Sequence, residues 1–111
     1  ALKVAFVTEK LELSPKEAEN FWPLYHSYIK EKKTLKASKS GKRKQIDEMT
    51  DKELELFIDE KFKQEKLALE LKEKYYEKVK QVLPIKKVAL LARVERQFKE
   101  EVLKRLRERR K

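Results

Sequence analysis

Apolar residues recur every three to four positions along this chain, in four blocks parted by turn-forming residues. The first block predicts a short helix over 2–12, with Leu2, Ala5, Phe6 and the following Leu13 near one face. Isolated helices below about 12–15 residues are marginal, so it must pack on the face that follows. The second block opens on Leu13-Ser14-Pro15-Lys16-Glu17. Ser14 is placed to N-cap a helix, and Pro15 fits its first position, where the missing N–H is no loss. Glu17, three residues after Ser14, completes a capping box, and Leu13 fits a hydrophobic staple. Ala18, Phe21, Trp22, Tyr25, Tyr28, Ile29 and Leu35 follow at helical spacing and predict a helix over 15–38. Pro23 lies inside it and predicts a kink, because it removes one backbone hydrogen bond. The helix could instead restart at Pro23, but the stripe keeps its phase from Phe21 to Tyr25 and Tyr28, which favours a continuous kinked helix.

Thr50-Asp51-Lys52-Glu53 is a second capping box. No breaker follows it until Pro84, so the pattern predicts a helix over 51–83, roughly 45 Å long. Its apolar residues, among them Leu54, Phe57, Ile58, Phe62, Leu67, Leu69, Leu71, Tyr75, Tyr76 and Val79, spread over more than one seam. So wide a stripe touches two neighbours: one can be the second helix, the other a second chain. Pro84 can open a fourth helix, over 85–109, with a stripe of Ile85, Val88, Leu91, Ala92, Phe98, Val102 and Leu106. Glu95–Lys99, Glu100–Lys104 and Glu101–Arg105 are spaced as i,i+4 pairs on its wet side. Leu13, Ala18, Phe21 and Tyr28 align with Leu83, Val88, Leu91 and Phe98 at one constant offset, which suggests an internal pseudo-repeat.

Composition narrows the picture. A length of 111 residues fits one domain, 1–111, and 45% charged residues with a single glycine favour long helices with solvated faces. The apolar fraction supports only a thin core, which a second chain can complete. The net charge of +10 suits an anionic partner, whether nucleic acid, a lipid surface or acidic protein segments; a solvated basic surface accounts for it equally well. The stretch from Lys30 to Lys44 is the most basic, with Glu31 its one acid, and Ser38-Lys39-Ser40-Gly41 within it marks a break or a frayed turn. No apolar run approaches the roughly 20 residues that cross a membrane.

Catalytic chemistry is not legible. The absence of cysteine removes disulfides, a thiolate nucleophile and cysteine metal sites. His26 is the only histidine, too few donors for a metal centre, and no phosphate-cradling loop can be built with one glycine. The expectation is no enzyme, no cofactor and no small-molecule substrate. Phe21, Trp22, Tyr25 and Tyr28 read as core that locks the first two helices; an exposed side could also serve as a ligand surface.

The segments TEKLELSPKEAENFWPLYHSY and KYYEKVKQVLPIKKVALLARVERQFKEEVLKRL resemble Bacteroidetes proteins named sensors of ECF-type sigma factors. Those are similar to the Spy/CpxP periplasmic superfamily, marked by two Leu-Thr-x-x-Gln motifs. Here the first is Leu13-Ser14-Pro15-Lys16-Glu17, and the second, Leu83-Pro84-Ile85-Lys86-Lys87, keeps only the leucine. The resemblance implies an all-α fold of four helices with a long bent hairpin, paired into a homodimeric cradle. It implies a periplasmic location after removal of an export signal. It also implies ATP-independent, chaperone-like binding of unfolded envelope proteins; the alternatives are a regulator of a membrane-bound anti-sigma or kinase system, or a basic nucleic-acid-associated protein. The candidates for client or partner contacts are then Lys32, Lys33, Lys36, Arg43, Lys61, Phe62 and Lys66. Leu13, Ser14, Glu17, Phe21, Trp22, Tyr25, Leu83 and Pro84 carry the architecture.

Overall fold

The computed structural model describes residues 2–37 and 44–110. Among them the chain is all-α, with four helices and no strand. The helices are α1 (Leu2–Lys10), α2 (Pro15–Ala37), α3 (Asp51–Val79) and α4 (Ile85–Arg109), and one 3-10 turn spans Ile46–Glu48. The break expected at Ser38–Gly41 lies outside the described residues, as does Arg43. Contacts gather in two compact units. One joins the chain up to Leu24 with the chain from Tyr76 onward; the other is Tyr25–Tyr75.

In the first unit α1 packs on α4. Its core is Val7, Leu11, Leu13, Phe21, Val79, Leu83, Val88, Leu91 and Val94. The inward face of α1 is therefore not the expected one: Ala5 is exposed and Leu2 is 70% exposed, while Val7 and Leu11 are buried. α1 also stops at Lys10 rather than at 12. The Leu13 amide donates to the Thr8 carbonyl (3.0 Å) and the Glu12 amide to the Glu9 carbonyl (3.1 Å). Glu12 sits at φ 51° between them. These are the two bonds of a Schellman stop, with glutamate where glycine is usual, and they turn Leu13 back into the core.

α3 likewise ends early, at Val79 rather than 83. Pro84 biases Leu83 away from helical backbone, and the chain tightens before it. The Gln81 amide donates to the Lys78 carbonyl and the Val82 amide to that of Val79, both i to i+3 bonds. This turn drives Leu83 into the core. Pro84 is the N-cap of α4 rather than its first helical residue, and its carbonyl accepts from the Lys87 and Val88 amides. The buried stripe of α4 gains Val94 and loses Ile85 and Ala92, both exposed. Of the expected ion pairs, Glu101–Arg105 forms at 3.4 Å, whereas Glu95 faces Lys3 of α1 at 3.7 Å.

α2 is continuous through Pro23. In the second unit its Tyr28 stacks on Tyr75 of α3, centroids 4.2 Å apart and planes 5° from parallel. The Thr50–Glu53 capping box forms as expected: the Glu53 amide donates to Thr50 Oγ1 (3.2 Å) and the Thr50 amide to Glu53 Oε1 (3.3 Å). The Thr50 amide, then the Lys44 ammonium, hold the Glu53 carboxyl below its ordinary pKa. Leu54, Phe57, Gln64 and Leu71 are half-buried along one line that ends at buried Tyr75.

Candidate binding surface

α3 exposes apolar side chains on both flanks of that line. Ile58 (50% exposed), Phe62 (57%) and Leu69 form one ridge; Leu56 and Leu67 form another on the opposite flank. The cause is geometric. Among the described residues of their unit the buried hydrophobic ones are Tyr25 and Tyr75 alone, so a single inward line satisfies the packing. The other apolar positions of a 29-residue helix stay in water. Lys66 lies one turn beyond Phe62, beside the first ridge. Lys61 does not join it, since at 3.6 residues per turn it falls on the inward line between Phe57 and Gln64, though it remains exposed.

The charge is distributed differently from the apolar surface. α3 carries nine acids and seven bases, so its own ridges are not basic. Among the described residues of this unit, the excess of positive charge sits on α2, where Lys30, Lys32, Lys33 and Lys36 stand against Glu31. All four are exposed, and the Lys32 ammonium lies 5.3 Å from the Tyr28 ring, a cation–π contact. The sequence-based candidates thus divide into a lysine cluster on α2 and an apolar ridge on α3. Phe62 was a sequence-based candidate, but Ile58 and Leu69 beside it were read only as part of a wide stripe.

The architectural residues converge. Leu13 and Leu83 are both buried. Glu17 Oε1 accepts from the Ser14 amide (2.8 Å) and from the Lys87 ammonium (2.7 Å), and Ser14 Oγ accepts from the Glu17 amide (3.1 Å). Lys87 also donates to the Glu12 carbonyl at 2.7 Å. One ammonium therefore ties the second motif to the first and to the left-handed residue that ends α1. The Lys87 hydrogen bond, followed by the Ser14 amide, holds the Glu17 carboxyl below its ordinary pKa. Phe21 is fully buried and meets Trp22 edge-on at 4.9 Å; the half-buried indole donates to Thr8 Oγ1 at 3.2 Å. These aromatics are core, and Trp22 joins α1 to α2. His26 is exposed, its ring 5.6 Å from that of Tyr25. Among the described residues no three His, Asp or Glu side chains are grouped to hold a metal ion. Nor is any helix long and apolar enough to cross a membrane.

A second surface lies in the first unit. Phe6 and Phe98 pack at 5.4 Å and floor a groove of about 350 Å³, walled by Leu2, Val102 and Leu106 and edged by Arg105, Arg109, Glu9 and Glu101. Sequence reading placed Phe98, Val102 and Leu106 in the apolar stripe of α4. It missed that α1, nine residues long, is too short to cover all of α4. No known protein family, curated protein or solved structure matches the chain.

Proposed function

We propose that this is a non-enzymatic, extracytoplasmic protein of the envelope-stress kind, which holds unfolded protein segments without ATP. The observation that carries the proposal is the exposed ridge of Ile58, Phe62 and Leu69 on a long charged helix. Contiguous exposed apolar residues rimmed by charge mark interaction surfaces. Lysines on α2 would draw acidic clients at long range, and the ridge would hold their apolar segments once they arrive. Contacts of this size are individually weak, which lets a client leave and fold. The extracytoplasmic setting rests on the resemblance of Leu13–Tyr28 and Tyr75–Phe98 to the Spy/CpxP superfamily.

The same reading includes a homodimer. α3 offers two apolar flanks, so a second copy can cover one and leave the other for clients. Light scattering at high concentration checks this: a mass of twice 13.4 kDa is expected, and a monomer refutes the dimer. Client binding is checked by the aggregation of a reduced or heated model client at physiological salt. The protein should suppress light scattering at a few-fold molar excess without nucleotide; no suppression would refute the holding activity. Capture from envelope extracts separates a chaperone from a regulator, since a single stoichiometric partner would assign the surface to regulation.

A further inference from the structure

The last turns of α4 carry leucines that no described part of the chain covers. Leu103 and Leu106 are 48% and 49% exposed, Val102 is 36% exposed, and Leu2 at the start of α1 is 70% exposed. Val102, Leu106 and Leu2 wall the groove over Phe6 and Phe98. Val102 and Leu103 also border a neighbouring depression with Lys3 and Lys99. The apolar surface is thus continuous across the end of the helix.

Basic residues are in excess around it. Wound at 3.6 residues per turn, Val102, Leu103 and Leu106 occupy one sector of about 100°. Arg96, Lys99, Arg109 and Arg110 fall within that half of the helix, and Arg105 lies at its edge. Glu100 and Glu108 fall on the other half with Lys104 and Arg107, and Glu101, which borders the groove, is paired with Arg105. Glu95, also on the leucine side, is paired with Lys3, and Glu9 of α1 borders the groove. Of the four helices α4 is the most amphipathic.

We propose that the C-terminal end of α4, together with Leu2, docks on the surface of an anionic lipid bilayer. Three kinds of partner can be compared by chemistry. Duplex nucleic acid would take the arginines and leave the leucines in water. A second copy would cover the leucines but bring like-charged arginines together. An anionic bilayer accepts both groups at once. Leucines enter the boundary between headgroups and acyl chains, and the long cationic side chains extend outward to the phosphates. Anionic headgroups concentrate basic segments near the surface, and Glu100 and Glu108 on the far half remain in water.

The test uses the intact protein, sedimented with sucrose-loaded vesicles at physiological salt. Phosphatidylcholine vesicles containing about one-third phosphatidylglycerol should bind it at least about tenfold more tightly than pure phosphatidylcholine. Leu103→Ser/Leu106→Ser keeps the charge and changes only half-exposed positions, so its melting curve should match the parent. It should nevertheless lose binding by about tenfold or more. Arg105→Gln/Arg109→Gln should weaken binding similarly, whereas Lys32→Gln/Lys33→Gln, an equal change of charge in the other unit, should stay within about twofold of the parent. Absence of a preference for phosphatidylglycerol, undiminished binding by the leucine variant, or equal loss in both charge variants would overturn the proposal. So would tighter binding to duplex DNA than to the anionic vesicles, or self-association that the leucine variant abolishes in the absence of vesicle binding.

Discussion

Lys87 makes two contacts that hold three segments together: the Glu17 carboxylate at the start of α2 and the Glu12 carbonyl at the end of α1. Glu12 is the residue that needs this support, because a non-glycine residue at positive φ carries a conformational cost. Replacing Lys87 with methionine keeps the aliphatic stem and removes both bonds. The variant should melt several degrees below the parent, as read by circular dichroism. Glu17 predicts a pH dependence. Its folded pKa lies below its unfolded one, first because of the Lys87 hydrogen bond and then because of the Ser14 amide. Its contribution is complete above the unfolded value of about 4.3 and is lost as pH falls through the lower folded value. Glu17→Gln, which can still cap Ser14, should lose less stability than the parent between about pH 5 and about pH 2 in urea melts. Some acid sensitivity should remain, because Glu53 is shifted in the same direction. The capping role of Glu17 was legible from its distance to Ser14. Its bond to Lys87 was not, although residues 17 and 87 stand at the same offset as Leu13 and Leu83. The pseudo-repeat was read from apolar positions, and an ion pair between equivalent positions leaves no trace in that pattern.

At the level of elements, periodicity placed all four helices, and the two capping boxes placed the starts of α2 and α3. The ends were less legible. α1 stops through a Schellman turn built on a glutamate, which carries no glycine to announce it. α3 stops four residues before the position expected from Pro84, because the proline's restriction on Leu83 propagates into a tightened turn. The inward face of α4 was read correctly at Val88 and Leu91 but not at Ile85 or Val94. Ile85 is 68% exposed, while Val94 and Leu91 are buried. Leu91→Ala should therefore cost about 2–5 kcal/mol, the range for a fully buried leucine. Ile85→Ala should change stability by no more than about 0.5 kcal/mol. Chemical denaturation of the two variants side by side checks the assignment, and equal losses would contradict it.

For the whole molecule, the candidate surface was legible in outline and not in composition. The width of the stripe on α3 showed that some of it would lack cover. Which positions those are depends on the line that Tyr28 and Tyr75 select by stacking, and a single sequence does not show it. The candidates named together from the sequence divide into two features, lysines on α2 and a mixed-charge apolar ridge on α3. The central claim is that this ridge is what holds clients. The most direct measurement is suppression of client aggregation by Ile58→Ser/Phe62→Ser/Leu69→Ser, compared with the parent and with Leu103→Ser/Leu106→Ser. All three positions of the first variant are at least half exposed, so its melting curve should stay close to that of the parent. The ridge variant should lose most of the suppression while the α4 variant keeps it; full suppression by the ridge variant would contradict the account.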